Sequence, residues 1–219
     1  MTRRDLFLAS AGGMLALDYA VTTGQGEAIQ GLTAGRVPGL SPVDSEGFRT
    51  YLRPEGKSGG HGIGWSEIPQ YSFRVPDGWK EEAVSIADLG GTEIDVRFVN
   101  QDEGQLAVVV APVLRFMNVG FNADVRIEDI GPPEKILNGF APEILGGPVE
   151  EEDVVNQDTY RGRDDLTYYI WETKSHDLLT ATAFKNRVFI IALRATGRQW
   201  RYSKDALHVI QKSFNVNNA

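Results

Sequence analysis

The residues with the most chemical reach in this 219-residue chain are three histidines, a lysine set among glycines and a dense population of carboxylates. "EGKSGGHGIGW", residues 55 to 65, places Gly56-Lys57-Ser58 in a glycine run and invites comparison with a phosphate-binding loop. Such a loop curls successive backbone N–H groups round the phosphate and needs a further glycine where Tyr51 stands, with a strand before it and a helix after. Pro54 interrupts the segment before, and Gly59, Gly60, Gly62 and Gly64 follow where the helix should begin, so the stretch reads as a glycine-rich surface loop. In that loop His61 and Trp65 are candidate partner contacts. His176 precedes Asp177 in "KSHDLL", a pair able to give two ligands to a weakly held divalent ion, although such neighbours are common in plain turns. His208 follows Leu207 near the C-terminus and falls off the apolar stripe of its segment. None of the three stands in a His-Glu-x-x-His or Gly-x-Ser-x-Gly context. The acids show no Asp-x-Asp-x-Asp-Gly spacing. Glu150, Glu151, Glu152 and Asp153 form a consecutive run whose carboxylates point in different directions, which reads as a solvated cluster on a loop and a second candidate contact. Weak surface affinity for calcium or manganese is the most these acids offer as cofactor chemistry, and no catalytic constellation is legible.

The elements that must carry these residues are short. "YSFRV" from Tyr71 and "IDVRF" from Ile94 alternate, with Ile94, Val96 and Phe98 expected inward and Asp95 and Arg97 outward. "LAVVVAPV" from Leu106 and "VFIIAL" from Val188 are apolar on both faces and predict strands covered on each side. "LTYYIWET" and "LLTATAF" add two more, and Lys185-Asn186-Arg187 suits a tight hairpin. "PPEKILNGFAPEILGG" predicts a helix with a kink or early stop at Pro142, and "YSKDALHVIQKSF" another, with Ser203 as its N-cap. Hairpin-length connections and fully buried strands together predict an α+β fold, a mostly antiparallel sheet with helices on both faces.

Composition bounds the partners. The formal charge is −8 and there is no cysteine, which argues against nucleic acid or an anionic lipid surface and excludes disulfides and thiolate metal sites. "TRRDLFLASAGGMLAL", residues 2 to 17, sets Arg3 and Arg4 before an apolar run too short to span a bilayer. It reads as a twin-arginine export signal over residues 1–28, cut near Ala28, leaving no element for direct bilayer insertion. Residues 29–67 then read as an irregular, loop-rich lead, and residues 68–216 as the folded domain.

Four segments in order carry a family resemblance: "YSFRVPDGW" (Tyr71 to Trp79), "VVVAPV" (Val108 to Val113), "VRIEDIGPPEKIL" (Val125 to Leu137) and "IQKSFNV" (Ile210 to Val216). The chain resembles the PsbP-domain proteins of photosynthetic organisms over about residues 68 to 216, and "SGGHGIGW" with "SIADLGGTEID" resembles a lumenal subgroup, not the principal PsbP subunit. The resemblance implies a Mog1/PsbP-like α/β/α sandwich. It implies a peripheral place in the thylakoid lumen, chloroplast or cyanobacterial, on the lumenal face of a photosynthetic membrane protein complex. The principal subunit is extrinsic to photosystem II, where it helps retain calcium and chloride at the oxygen-evolving cluster. The expected role is therefore a non-enzymatic extrinsic or assembly protein related to photosystem II. The alternatives are a subunit or assembly factor of photosystem I or the NDH complex, or a weak calcium or manganese carrier.

Overall fold

Period-two patterning makes the outer strands of this protein and unbroken apolar runs make the central ones. The computed structural model describes residues 39–55, 57, 68–85, 87–90, 93–120 and 122–217. In chain order they form β1 (Phe48–Leu52), β2 (Tyr71–Pro76), β3 (Lys80–Glu82), β4 (Ile94–Asn100), β5 (Gly104–Pro112), α1 (Ile127–Ile130), α2 (Pro133–Ile144), β6 (Val154–Arg161), β7 (Thr167–Thr173), β8 (Asp177–Phe184), β9 (Arg187–Arg194), α3 (Gly197–Ser213) and β10 (Asn215–Val216). Seven strands make a large sheet in the order β3-β4-β5-β9-β8-β7-β6, and three make a small one in the order β1-β2-β10. Every paired neighbour runs antiparallel, so the expected α+β class and antiparallel sheet hold.

β5 and β9 lie side by side at the middle of the large sheet and are buried on both faces, as their apolar runs require. On one face Val108, Phe189, Ile191 and Leu193 pack against Tyr71 and Phe73 of β2 and against Leu207, Ile210 and Phe214 at the C-terminal end of the chain. On the other, Val109, Trp171, Leu179 and Ile190 pack against Ile127, Ile130, Ile136, Leu137 and Phe140 of α1 and α2. Full burial of each such side chain stabilises the fold by about 1.5–3 kcal/mol. Gln211 is buried where α3 meets the sheet, and its amide donates to the carbonyls of Trp171 and Leu179, 3.0 Å each, locking the helix to two adjacent strands. Gly104 opens β5 at φ +144, and a Cβ there would lie 2.7 Å from the Arg194 carbonyl oxygen, so a side chain is barred by both conformation and space.

Several expectations are corrected. One face of the large sheet is covered jointly by α3 and a second sheet, because "YSFRV" pairs with β1 and β10 and not with the large sheet. β1 lies inside the stretch read as an irregular lead, and its Tyr51 is buried in the core beside Tyr71 and Phe73. Five residues between glycine- and proline-rich flanks gave too short a pattern to detect. α3 begins six residues before Ser203, at Gly197, since Thr196 and Gln199 form a reciprocal cap: Gln199 N–H donates to Thr196 Oγ1 at 3.3 Å, and Thr196 N–H to Gln199 Oε1 at 2.8 Å. Ser203 is buried within the helix. β6 is an edge strand that the sequence reading missed, its residues being mostly exposed and free of alternation. Pro142 sits in the last turn of α2, which stops at Ile144, in line with the early stop expected there.

Candidate functional site

Asp95 was expected to face water and is instead 2% exposed. The β4–β5 register shifts between Ile94 and Val96, and this bulge sends Ile94 into the core facing α2 and Val96 into the core facing β2. Asp95 is thereby turned into the interior, where Arg53 Nε donates to Oδ2 at 3.0 Å and Arg53 Nη2 to Oδ1 at 3.3 Å. Tyr71 Oη–H donates to Oδ2 at 2.5 Å, and Lys57 Nζ lies 3.6 Å from the same oxygen and 3.0 Å from Tyr51 Oη. Burial alone would push the Asp95 carboxyl up. The charges of Lys57 and Arg53, with hydrogen bonds from Arg53 and Tyr71, outweigh it and hold the carboxyl below its ordinary value. Burial, and then the Asp95 charge, raise the Tyr71 phenol far above its usual range. Lys57 is the lysine of the glycine run, so its reading as part of an exposed loop is corrected: it is 2% exposed. The group ties β1, β2 and β4 together across the two sheets. Nothing in the sequence pattern pointed to it, because a bulge leaves no trace in the alternation of "IDVRF".

The histidines do not converge on a nucleophile. His176 occupies a turn at φ +67, and its ring stacks on Trp200 of α3 with centroids 4.9 Å apart and planes 9° apart. Its neighbour Asp177 points elsewhere, buried and facing Arg194 Nε at 3.2 Å. Burial pushes the Asp177 carboxyl above its ordinary value despite Arg194. The two side chains of the His176-Asp177 pair are thus committed to different partners. His208 lies 3.5 Å from Glu172 Oε2 and 3.3 Å from the Gln211 side-chain oxygen. Among the described residues no serine or threonine hydroxyl bonds to either histidine, and no group of three or more metal-ligating side chains gathers.

The acidic run is split. Glu151–Asp153 forms a 3-10 turn leading into β6, with Glu150, Glu151 and Glu152 exposed and Asp153 half-buried, 3.5 Å from Lys174 Nζ. His61, Trp65 and the twin-arginine segment lie outside the described residues.

A model of the PsbP family matches residues 66–216. The chain belongs to the PsbP family. This PsbP-family chain is 50% identical over 188 residues to PsbP domain-containing protein 4, chloroplastic, of Arabidopsis thaliana, an alignment covering 85% of the chain and 71% of the relative. It is 28% identical over 193 residues to the thylakoid lumenal 19 kDa protein of the same plant, covering 80% and 77%. The solution structure of the cyanobacterial PsbP of Synechocystis sp. PCC 6803 superposes with a TM-score of 0.51 at 19% identity, over 84% of this chain and 99% of that one, a likeness of fold. The family resemblance read from the four ordered motifs is borne out, as is its distinction from the principal PsbP subunit. With such relatives the PsbP-family chain is a protein of the thylakoid lumen. Among its described residues no helix is long and apolar enough to cross a membrane.

Proposed function

We propose that this PsbP-family protein is a non-enzymatic extrinsic or assembly protein on the lumenal side of a photosynthetic membrane complex, with photosystem II as the first candidate client. The observation that carries the proposal is the family match across residues 66–216, joined to half-identity with a chloroplast PsbP-domain protein. The geometry supports it. The buried carboxylates Asp95 and Asp177 are held by Arg53 and Arg194, and the His176 ring is stacked on Trp200, contacts that serve packing. Exposed acidic charge gathers at Glu150, Glu151 and Glu152, where a partner can reach it, and His61 and Trp65 remain the second proposed contact. Attachment through exposed charge is electrostatic and is weakened by salt.

Mildly solubilised thylakoids separated on a native gel and probed for this protein test the reading. Co-migration with a membrane complex, and its loss after a high-salt wash, is the expected result; migration as free protein alone under the mildest conditions overturns it. The identity of the co-migrating complex separates photosystem II from photosystem I and the NDH complex.

A further inference from the structure

Charge is unevenly divided along this chain. Residues 124–165, which include α1, α2, the acidic turn and β6, carry twelve carboxylates against four cations. α3 reverses the balance, with Arg198, Arg201, Lys204 and Lys212 against Asp205 alone. Helix stability does not ask for this, since its first turn holds Arg198 and no acid, against the sense of the helix dipole.

Several arginines elsewhere on the surface are compensated within the molecule: Arg49 by Asp77 at 2.7 Å, Arg74 by Asp44 and Glu46, Arg97 by Asp88 and Arg161 by Asp165. Lys80, Arg163 and Lys185 are exposed without such a pair among the described residues, but each stands on a different strand or turn, whereas α3 gathers four unpaired cations on one helix. Among the described residues no carboxylate pairs with Arg198, Arg201, Lys204 or Lys212; Arg201 reaches only the Gly197 carbonyl of its own helix, and Lys204 lies over the Trp200 ring. All four are exposed. In their midst Tyr202 is 84% exposed, the highest value among the large apolar side chains described. At one turn's spacing Arg198 and Tyr202 share a strip of the helix with Arg201 beside them, while Leu207, Ile210 and Phe214 face the core on the opposite side. Arginine and tyrosine are the residue types on which interface affinity concentrates.

We infer that the outer face of α3, centred on Arg198, Arg201, Tyr202 and Lys204, is a docking surface for an acidic patch of a partner protein; this deepens the proposed function and rests on it. Charge complementarity selects the occupant. An anionic membrane fits less well, because Asp205 interrupts the strip, the chain is at −8 as a whole, and the outer face offers one tyrosine and no cluster of aliphatic groups to enter lipid. The carboxylate-rich side is carried on other elements, so the molecule has a charge asymmetry that turns α3 toward an acidic partner before contact.

The test is rebinding of the purified full-length protein to salt-washed thylakoid membranes, measured as a binding isotherm for wild type, for the triple variant Arg198→Glu/Arg201→Glu/Lys204→Glu, and for Tyr202→Ala. All four side chains are exposed, and unchanged far-UV circular dichroism and melting confirm the fold. Expected are a loss of affinity of 10-fold or more for the triple variant, several-fold for Tyr202→Ala, and a shallower salt dependence for the triple variant. Wild-type affinity in both variants overturns the α3 surface while leaving attachment to the complex standing. No rebinding of the wild type at low salt sinks both. Binding of the wild type to protein-free phosphatidylglycerol vesicles as tight as to thylakoids, lost in the triple variant, assigns the face to lipid and overturns the protein partner.

Discussion

Two groups of cations in this protein meet opposite fates. Arg53 and Lys57 are withdrawn from water and set against a single carboxylate, Asp95, with Tyr71 completing its hydrogen bonds. Arg198, Arg201, Lys204 and Lys212 remain in water with no carboxylate partner among the described residues. In the interior a charge must be answered at once, since an uncompensated one costs several kcal/mol, whereas at the surface solvent answers it and the cost is small. The buried cluster therefore holds two sheets together, and the exposed strip is free to be answered by another molecule. Mutation should separate the two by stability on one side and association on the other.

The largest stability effect belongs to Asp95. Asp95→Ala leaves Arg53 and Lys57 buried without their shared carboxylate and is expected to destabilise by about 3–5 kcal/mol in urea unfolding. A loss below about 1 kcal/mol would show that the cluster is already open to water. Tyr71→Phe comes next: it removes a hydroxyl that donates to the carboxylate at 2.5 Å while keeping the ring between Tyr51 and Phe73. A hydrogen bond to a charged group is worth about 1.5–3 kcal/mol, and a loss in that range is expected.

The same contrast explains what was legible in the sequence. β5 and β9 were readable because a strand covered on both faces has no choice but to be apolar, and α2 because Ile136, Leu137 and Phe140 keep helical spacing. The adjacency of His176 and Asp177 in the chain is not convergence in space: the His176 ring stacks on α3 while the Asp177 carboxylate turns to β9. Asp95 was hidden by a one-residue bulge that inverts the sense of alternation, so an honest count of in and out positions gave the wrong side. Lys57 was hidden by composition, since a lysine among glycines looks solvated. The split of charge between α3 and the acidic turn, by contrast, was present in the letters. Its meaning needed the structure, because only there do paired and unpaired cations differ.

Acidification gives a smaller effect with a definite sign. Asp95 is held below its unfolded value, so its stabilisation is complete above that value, near pH 3.8, and is lost only as the pH falls further through the folded value. Asp177 and Glu93 are raised, each chiefly by burial, so the folded protein takes up their protons first. Between their raised folded values and the ordinary values of 3.8 and 4.5, these two groups make stability rise as pH falls. The urea midpoint at pH 5 is accordingly expected to equal or slightly exceed that at pH 7, by no more than about 1 kcal/mol in free energy, with decline setting in below about pH 4. A steady fall from pH 7 to pH 5 would mean that some other group, protonated on unfolding, governs the interior.

The smallest stability effect is expected where the sequence placed its densest charge. Replacing Glu150, Glu151, Glu152 and Asp153 by serine removes three exposed acids and one half-buried acid whose ion pair to Lys174 is long at 3.5 Å. Surface pairs of this kind contribute about 0–1 kcal/mol, and mutual repulsion within the run offsets part of that, so melting should move little. Thylakoid rebinding is the informative measurement. If the acidic turn contacts a basic partner surface, affinity falls and its salt dependence weakens. If α3 alone docks, affinity holds or rises slightly, because removing four negative charges lessens the repulsion between this chain and an acidic partner. When the helix alone carries the contact, the α3 triple variant therefore loses affinity and the quadruple serine variant does not; when both faces are engaged, both lose it.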